Sequence, residues 1–138
     1  MKTSVDVKWT GNMSFETELF GHKLVMDAGP ENGGENKGVR PKPLMLTALA
    51  GCTGMDVVSI LKKMKVEVDD LNIVVEASMT DEHPKYYDKM HVIYRFKGKN
   101  LPMDKLERAV NLSEEKYCGV SALYKIAIPV TTEIQVVE

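Results

Sequence analysis

The stretch of residues 42–64 constrains the fold more than any other part of this sequence. Pro43 is accepted in the first turn of a helix, and Asp56 is the only charged residue between Leu44 and Leu61. The apolar residues cover nearly the whole circumference of a helix, and a helix of that kind must be buried on all sides. At 1.5 Å per residue it would be roughly 30 Å long. Because a chain of 138 residues has little else to cover such a rod, the sequence predicts a long buried central helix and a homodimer.

Alternating and helical patterns predict the remaining elements. Apolar and polar residues alternate, as in half-buried strands, at residues 5–9, 15–19, 24–26, 66–77, 90–96 and 128–136. A helix with one apolar face is predicted from residue 101 to a stop at residues 117–119, and Ser121 is predicted to cap a short helix over residues 122–125. Strands and helices are segregated along the chain. The sequence therefore predicts an α+β fold with mainly antiparallel sheets around the central helix, in a single domain over residues 1–138.

Residues 28–38 read AGPENGGENKG, with four glycines and one proline. This composition cannot pack a core, so the segment is predicted to be a mobile loop. A loop of this length is uncommon in a compact domain unless it serves a site.

Composition and charge narrow the classes of partner. The net charge is −2 with both signs interspersed, which argues against an electrostatic grip on nucleic acid or on an anionic membrane. We identify no apolar run of the length that a bilayer needs and no apolar leader near Met1, so the expected location is cytoplasmic.

The three histidines, His22, His83 and His91, have no metal-ligand spacing, and the glycines form no phosphate-binding pattern. We therefore expect no cofactor and no metal.

Two cysteines are the candidate reactive groups. Cys52 lies near the middle of the predicted central helix, and Cys118 follows 66 residues later at a helix end. In a reducing cytosol a disulfide between them would be transient and functional. The alternative is that both are small buried side chains without reactivity. Asp56 lies one helical turn beyond Cys52 and would disfavour a thiolate, so a reactive Cys52 needs a positive group from elsewhere in the fold.

Two segments resemble the cysteine motifs of the OsmC/Ohr family. Residues 38–58 carry GVRPKPL and then AGCTGMDVV around Cys52, and residues 115–122 read EKYCGVSA around Cys118. The resemblance implies an intertwined homodimer with two active sites at its interface. It also implies that a Cys52 thiolate attacks a peroxide, that Cys118 then forms a disulfide with it, and that a dithiol reductant, often a lipoyl group, resets the pair. The apolar residues near Cys52 favour organic hydroperoxides as substrates.

Three residues are candidates for the cation that would activate Cys52. Peroxidases of this family carry a glutamate ten residues before the first cysteine, which orients an arginine; Lys42 stands at that position here, and Asn32 stands where one branch has its arginine. Arg40 is the nearest arginine and the first candidate for the cationic partner, followed by Lys42 and Lys8.

Two functions follow from these observations. The first is a thiol peroxidase in which Cys52, Cys118 and Arg40 act on organic hydroperoxides. The second is a non-catalytic protein that binds a small hydrophobic molecule, or senses redox state through the same disulfide.

Overall fold

The computed structural model describes residues 1–138 and confirms the predicted α+β fold, with six strands and three α-helices. The strands are β1 (Val7–Gly11), β2 (Ser14–Leu19), β3 (His22–Met26), β4 (Asp70–Met79), β5 (Tyr87–Lys97) and β6 (Val130–Val137). The helices are α1 (Leu44–Lys63), α2 (Met103–Leu112) and α3 (Gly119–Ala127), with one 3-10 turn at Pro30–Asn32 and one π-helical segment at Ser113–Tyr117. The chain divides into two compact units, residues 1–45 and 46–138. The single domain over the whole chain stays a prediction.

The first unit is built on the three-stranded antiparallel meander that the alternating pattern predicts, in the order β1-β2-β3. The loop that follows is organised by Asp27, whose carboxylate accepts backbone N–H bonds from Ala28 at 2.8 Å, Lys37 at 3.0 Å and Glu35 at 3.2 Å. The N–H group of Lys37 contributes most to lowering the Asp27 pKa, because these bonds stabilise the charged carboxylate. The glycine-rich loop therefore has a hydrogen-bonded centre that its composition did not predict.

The second unit contains a three-stranded sheet in the order β4-β5-β6. Strand β5 pairs antiparallel with β4 and parallel with β6, and Tyr94 lies opposite both Ile73 and Ile134. A parallel pair needs a long crossover connection, and the segment with α2 and α3 supplies it. Val92, Tyr94 and Phe96 alternate along β5 and are fully buried, so they form the centre of this unit's core.

Helix α1 buries one row of side chains: Leu49, Thr53, Val57 and Leu61, at four-residue spacing. The first, third and fourth belong to the same apolar cluster as the buried residues of β5. The opposite side of the helix is open, and Met55 is 77% exposed. The single chain covers one face of this helix only, and burial of the other side by a second subunit stays a prediction.

The length and composition of α1 also meet the requirements of a membrane span, with 20 residues and a mean hydropathy of 1.8. On those two criteria the sequence-based expectation that no such segment exists was wrong. The core helix of a soluble protein satisfies the same criteria, so one such helix is weak support for a membrane span.

Two element boundaries differ from the prediction. Strand β4 begins at Asp70 rather than at Val66, because the chain turns after α1 through Lys65, which has a φ of 59°. Gly119 was expected to stop a helix, but it is the first residue of α3. Cys118 is the N-cap of that helix, a position that the sequence analysis gave to Ser121.

Candidate active site at the cysteine pair

The fold brings together two sulfur atoms that are 66 residues apart in sequence. The thiol sulfurs of Cys52 and Cys118 and a carboxylate oxygen of Asp56 all lie within 4.8 Å of one another. Cys52 and Asp56 share a face of α1 because they are four residues apart. Cys118 reaches them from the junction between the π-helical segment and α3. Both cysteines are free thiols.

The Cys118 thiol is enclosed and fixed by local hydrogen bonds. Its side chain is buried, and its sulfur accepts the backbone N–H of Ser121 at 3.3 Å. Its own backbone N–H donates to the carbonyl oxygen of Ser113 at 2.8 Å. Burial raises the pKa of the Cys118 thiol from 9.0 to about 11, the nearby Cys52 adds to the increase, and the Ser121 N–H opposes it. Cys118 is therefore a neutral thiol at neutral pH.

This raised pKa leads to a prediction about alkylation. Only the thiolate reacts with iodoacetamide, so in a Cys52→Ser variant the alkylation rate of Cys118 should rise with pH around a midpoint above 9.0. At a pH equal to the ordinary value an unperturbed thiol is half ionised, whereas a pKa two units higher leaves about 1% as thiolate. Mass spectrometry of timed alkylation in the folded protein and in denaturant measures both midpoints. Equal midpoints would contradict the assigned burial effect.

A buried polar network lies beside the cysteine pair and was missed by the sequence analysis. Thr53 Oγ1 lies 2.7 Å from the Tyr94 hydroxyl oxygen and 2.7 Å from Ser113 Oγ. Ser113 Oγ is 3.0 Å from a carboxylate oxygen of Asp56, and the Tyr94 hydroxyl is 2.6 Å from Oε1 of Glu114. These contacts join Asp56, at one end, to Glu114 at the other.

Glu114 connects this network to the helix that carries Cys118. It is 6% exposed, and its Oε2 accepts the hydroxyl of Ser121 at 2.7 Å and lies 3.3 Å from Nζ of Lys125. Burial, followed by the Glu114 carboxylate, raises the pKa of Tyr94. One signal for the network was present in the sequence: Ser113 continues the apolar face of α2, seven residues after buried Leu106. A polar residue at that position needs a buried partner.

A cavity of about 570 Å³ adjoins the cysteine site, with Asp56 in its wall. Ile60, Met64 and Leu112 give it an apolar side. Lys63, Lys105, Arg108, Asp104, Ser59 and Tyr117 complete the lining. A small organic molecule can therefore occupy the space next to Asp56.

Arg40, the predicted cationic partner, belongs to the first unit of the chain. Its guanidinium donates to Oδ1 of Asn36 at 2.8 Å and to the carbonyl oxygen of Gly38 at 3.3 Å. Its action on Cys52 stays a prediction.

Comparisons with protein-family models, with known proteins and with solved structures agree on one family. The family model described as OsmC-like protein matches residues 34–133. Protein YhfA of Escherichia coli K12 is 33% identical over 132 residues, which cover 95% of this chain and 96% of that protein. The crystal structure of a hypothetical protein from Aquifex aeolicus VF5 has a TM-score of 0.86 at 31% identity, covering 99% of this chain and 98% of that one.

A more distant structure shares the fold. An organic hydroperoxide resistance protein OsmC from Legionella pneumophila, also described as a predicted redox protein, matches with a TM-score of 0.67 at 19% identity. The alignment covers 96% of this chain and 97% of that one. The match to the family model and the identity with the Escherichia coli relative establish that the chain belongs to the OsmC-like protein family.

Proposed function

We propose that this protein is a thiol peroxidase that reduces organic hydroperoxides through a Cys52–Cys118 disulfide. The observation that carries the proposal is the distance between the two sulfurs, which lie within 4.8 Å of each other. A disulfide needs a sulfur–sulfur distance of about 2.05 Å, so a small movement of the N-cap of α3 joins them. Family membership and the name of the Legionella pneumophila structure support the same chemistry.

The cycle has three balanced steps. The Cys52 thiolate attacks a peroxide oxygen, the O–O bond breaks, and the alcohol leaves after its alkoxide takes a proton, which gives Cys52 sulfenic acid. The Cys118 thiol then attacks the sulfenic sulfur, a disulfide forms and water leaves. A dithiol reductant, such as a lipoyl group, restores both thiols and is itself oxidised to a disulfide. A reducing compartment such as the cytoplasm would keep the resting pair reduced.

The cavity beside Asp56 supports an organic substrate. Its volume of about 570 Å³ is far larger than hydrogen peroxide requires, and Ile60, Met64 and Leu112 line it with apolar surface. We assign Arg40 as the cation that stabilises the Cys52 thiolate. If this is correct, Arg40→Ala should slow the alkylation of Cys52 at neutral pH in a Cys118→Ser variant, whereas Arg95→Ala, at an exposed position on β5, should not.

The direct test of the function is consumption of cumene hydroperoxide with dihydrolipoamide as the reductant. We expect turnover by the wild-type protein and none above background by Cys52→Ser. Equal slow consumption by both proteins would reject the peroxidase.

The same cavity supports a second candidate function, binding of a small hydrophobic molecule without turnover. Asp56 lies within 4.8 Å of the Cys52 sulfur, and its ionised form, in contrast to its protonated form, would disfavour an activated thiolate. Native mass spectrometry of the purified protein would detect a retained ligand. A retained ligand together with no peroxide consumption would favour binding over catalysis.

We also propose that the protein is a homodimer. Met55 is 77% and Val58 51% exposed on α1, and Ile126 is 83% exposed on α3. Exposed apolar surface of this kind marks protein–protein contacts in soluble chains. Sedimentation equilibrium should give twice the chain mass of 15.4 kDa, and Met55→Glu should shift the population towards that of the monomer. A wild-type monomer at all concentrations would contradict the proposal.

A further inference from the structure

The network beside the cysteine pair has one more hydrogen bond than its hydroxyl groups can supply. Four contacts run in series: Asp56 to Ser113 at 3.0 Å, Ser113 to Thr53 at 2.7 Å, Thr53 to Tyr94 at 2.7 Å, and Tyr94 to Glu114 at 2.6 Å. Each contact needs one proton between its two oxygens. The three hydroxyl groups bring three protons, and an ionised carboxylate brings none.

We propose that Asp56 and Glu114 share one proton through this chain of hydroxyl groups, and that Asp56 gives that proton to the departing alkoxide during peroxide reduction. Two arrangements satisfy all four contacts. In one, Asp56 is protonated and donates to Ser113, which donates to Thr53, then Tyr94, then Glu114. In the other, Glu114 is protonated and every bond runs the opposite way.

The surroundings of Glu114 favour the first arrangement at rest. Its Oε2 accepts the Ser121 hydroxyl at 2.7 Å and lies 3.3 Å from the Lys125 ammonium, and both contacts stabilise a carboxylate. Asp56 has the two thiols within 4.8 Å, and a thiolate there favours a neutral carboxyl group beside it. Each hydroxyl group between Asp56 and Glu114 is buried, which keeps the chain of bonds away from solvent.

The reaction needs a proton at this place. When the Cys52 thiolate breaks the O–O bond, the departing alkoxide must take up one proton, and the carboxyl of Asp56 lies beside the reacting sulfur. When the dithiol later reduces the disulfide, Cys52 returns as a thiol and its proton passes back to Asp56. The catalytic part of this inference depends on the proposed function, whereas the shared proton does not.

The net charge of variants tests the shared proton without any peroxide. The background for this test has both cysteines replaced by serine. There, Asp56→Asn should leave the net charge of the folded protein at neutral pH unchanged. The protonated Asp56 and the asparagine are both neutral, the asparagine N–H donates the fourth hydrogen bond, and Glu114 stays ionised in both proteins. The matched control is Asp104→Asn, an exposed aspartate lining the same cavity, which should remove one negative charge. Capillary electrophoresis of the folded proteins measures both changes.

Tyr94→Phe provides an independent arm. The substitution removes one hydroxyl proton and two of the four contacts, so the remaining hydroxyl groups can supply every remaining hydrogen bond. The shared proton is then released. The protein should gain one negative charge, although the substitution itself replaces no charged side chain. A one-charge change in Asp56→Asn, or no change in Tyr94→Phe, would overturn the shared proton. Circular dichroism confirms that each variant is folded.

The proton donor is tested in the protein with both cysteines. Asp56→Asn should slow the formation of Cys52 sulfenic acid by about 10²-fold or more, while Asp81→Asn, at an exposed position outside the cavity, should not. A normal rate of peroxide cleavage in Asp56→Asn would show that Asp56 is not the proton donor. It would not affect the conclusion about the shared proton, which the charge measurements test. Failure of the peroxidase itself would instead be seen in the wild-type protein.

Discussion

Replacing Cys52 with serine should abolish peroxide reduction, with a loss of about three orders of magnitude or more in the rate of cumene hydroperoxide consumption. A serine hydroxyl is not ionised at neutral pH and cannot act as the nucleophile in this site. Cys52 is partly exposed whereas Cys118 is buried, so we expect peroxide to reach the Cys52 sulfur first.

Cys118→Ser is the informative comparison, since it leaves the nucleophile in place. This variant should cleave one equivalent of peroxide per chain and then stop, with sulfenic acid accumulating on Cys52, where dimedone traps it and mass spectrometry locates it. The buried Cys118, with its pKa raised to about 11, is poorly suited to attack peroxide first. If the Cys52→Ser variant still consumed peroxide and dimedone labelled Cys118, Cys118 would be the nucleophile and Cys52 the resolving cysteine.

Glu114→Ala should be the most destabilising substitution in the site, lowering the free energy of unfolding by about 3 kcal/mol. The buried carboxylate holds the hydroxyl groups of Tyr94 and Ser121 and lies 3.3 Å from the Lys125 ammonium. Its loss leaves these groups without their acceptor in a buried place. Urea denaturation followed by circular dichroism measures the change.

Glu115→Ala is the matched control, since Glu115 is the exposed neighbour in the same π-helical segment. It should change the free energy of unfolding by about 0.5 kcal/mol or less. Equal effects of the two substitutions would mean that the Glu114 network does not stabilise the fold. The network also holds the segment that leads to Cys118, so Glu114→Ala should slow disulfide formation between the cysteines.

The strands were predicted well from the sequence, because the alternation of apolar and polar residues shows which side chains face a core. Val92, Tyr94 and Phe96 were expected on one face of a strand and are fully buried on β5. The single chain covers only one face of α1, because an apolar circumference does not show which of its surfaces the same chain covers. Its exposed Met55 and Val58 are explained by the proposed second subunit.

The candidate site was predicted in part. Both cysteines were identified from motifs, but their proximity depends on how α3 begins, and Gly119, which was expected to end a helix, is the first residue of α3. The polar network was missed because Thr53 and Tyr94 are distant in sequence from each other and from Ser113. Hydrogen bonding between such residues is fixed by tertiary packing, which leaves no periodic signal along the chain.

The most direct test of the disulfide cycle is a titration of the reduced protein with cumene hydroperoxide, without reductant, followed by counting of free thiols and intact mass. One equivalent per chain should remove both thiols and lower the mass by two hydrogens, with a peptide map that joins Cys52 to Cys118 within one chain. If both thiols persist after excess peroxide, or Cys52 is oxidised while Cys118 remains free, the proposed cycle is wrong.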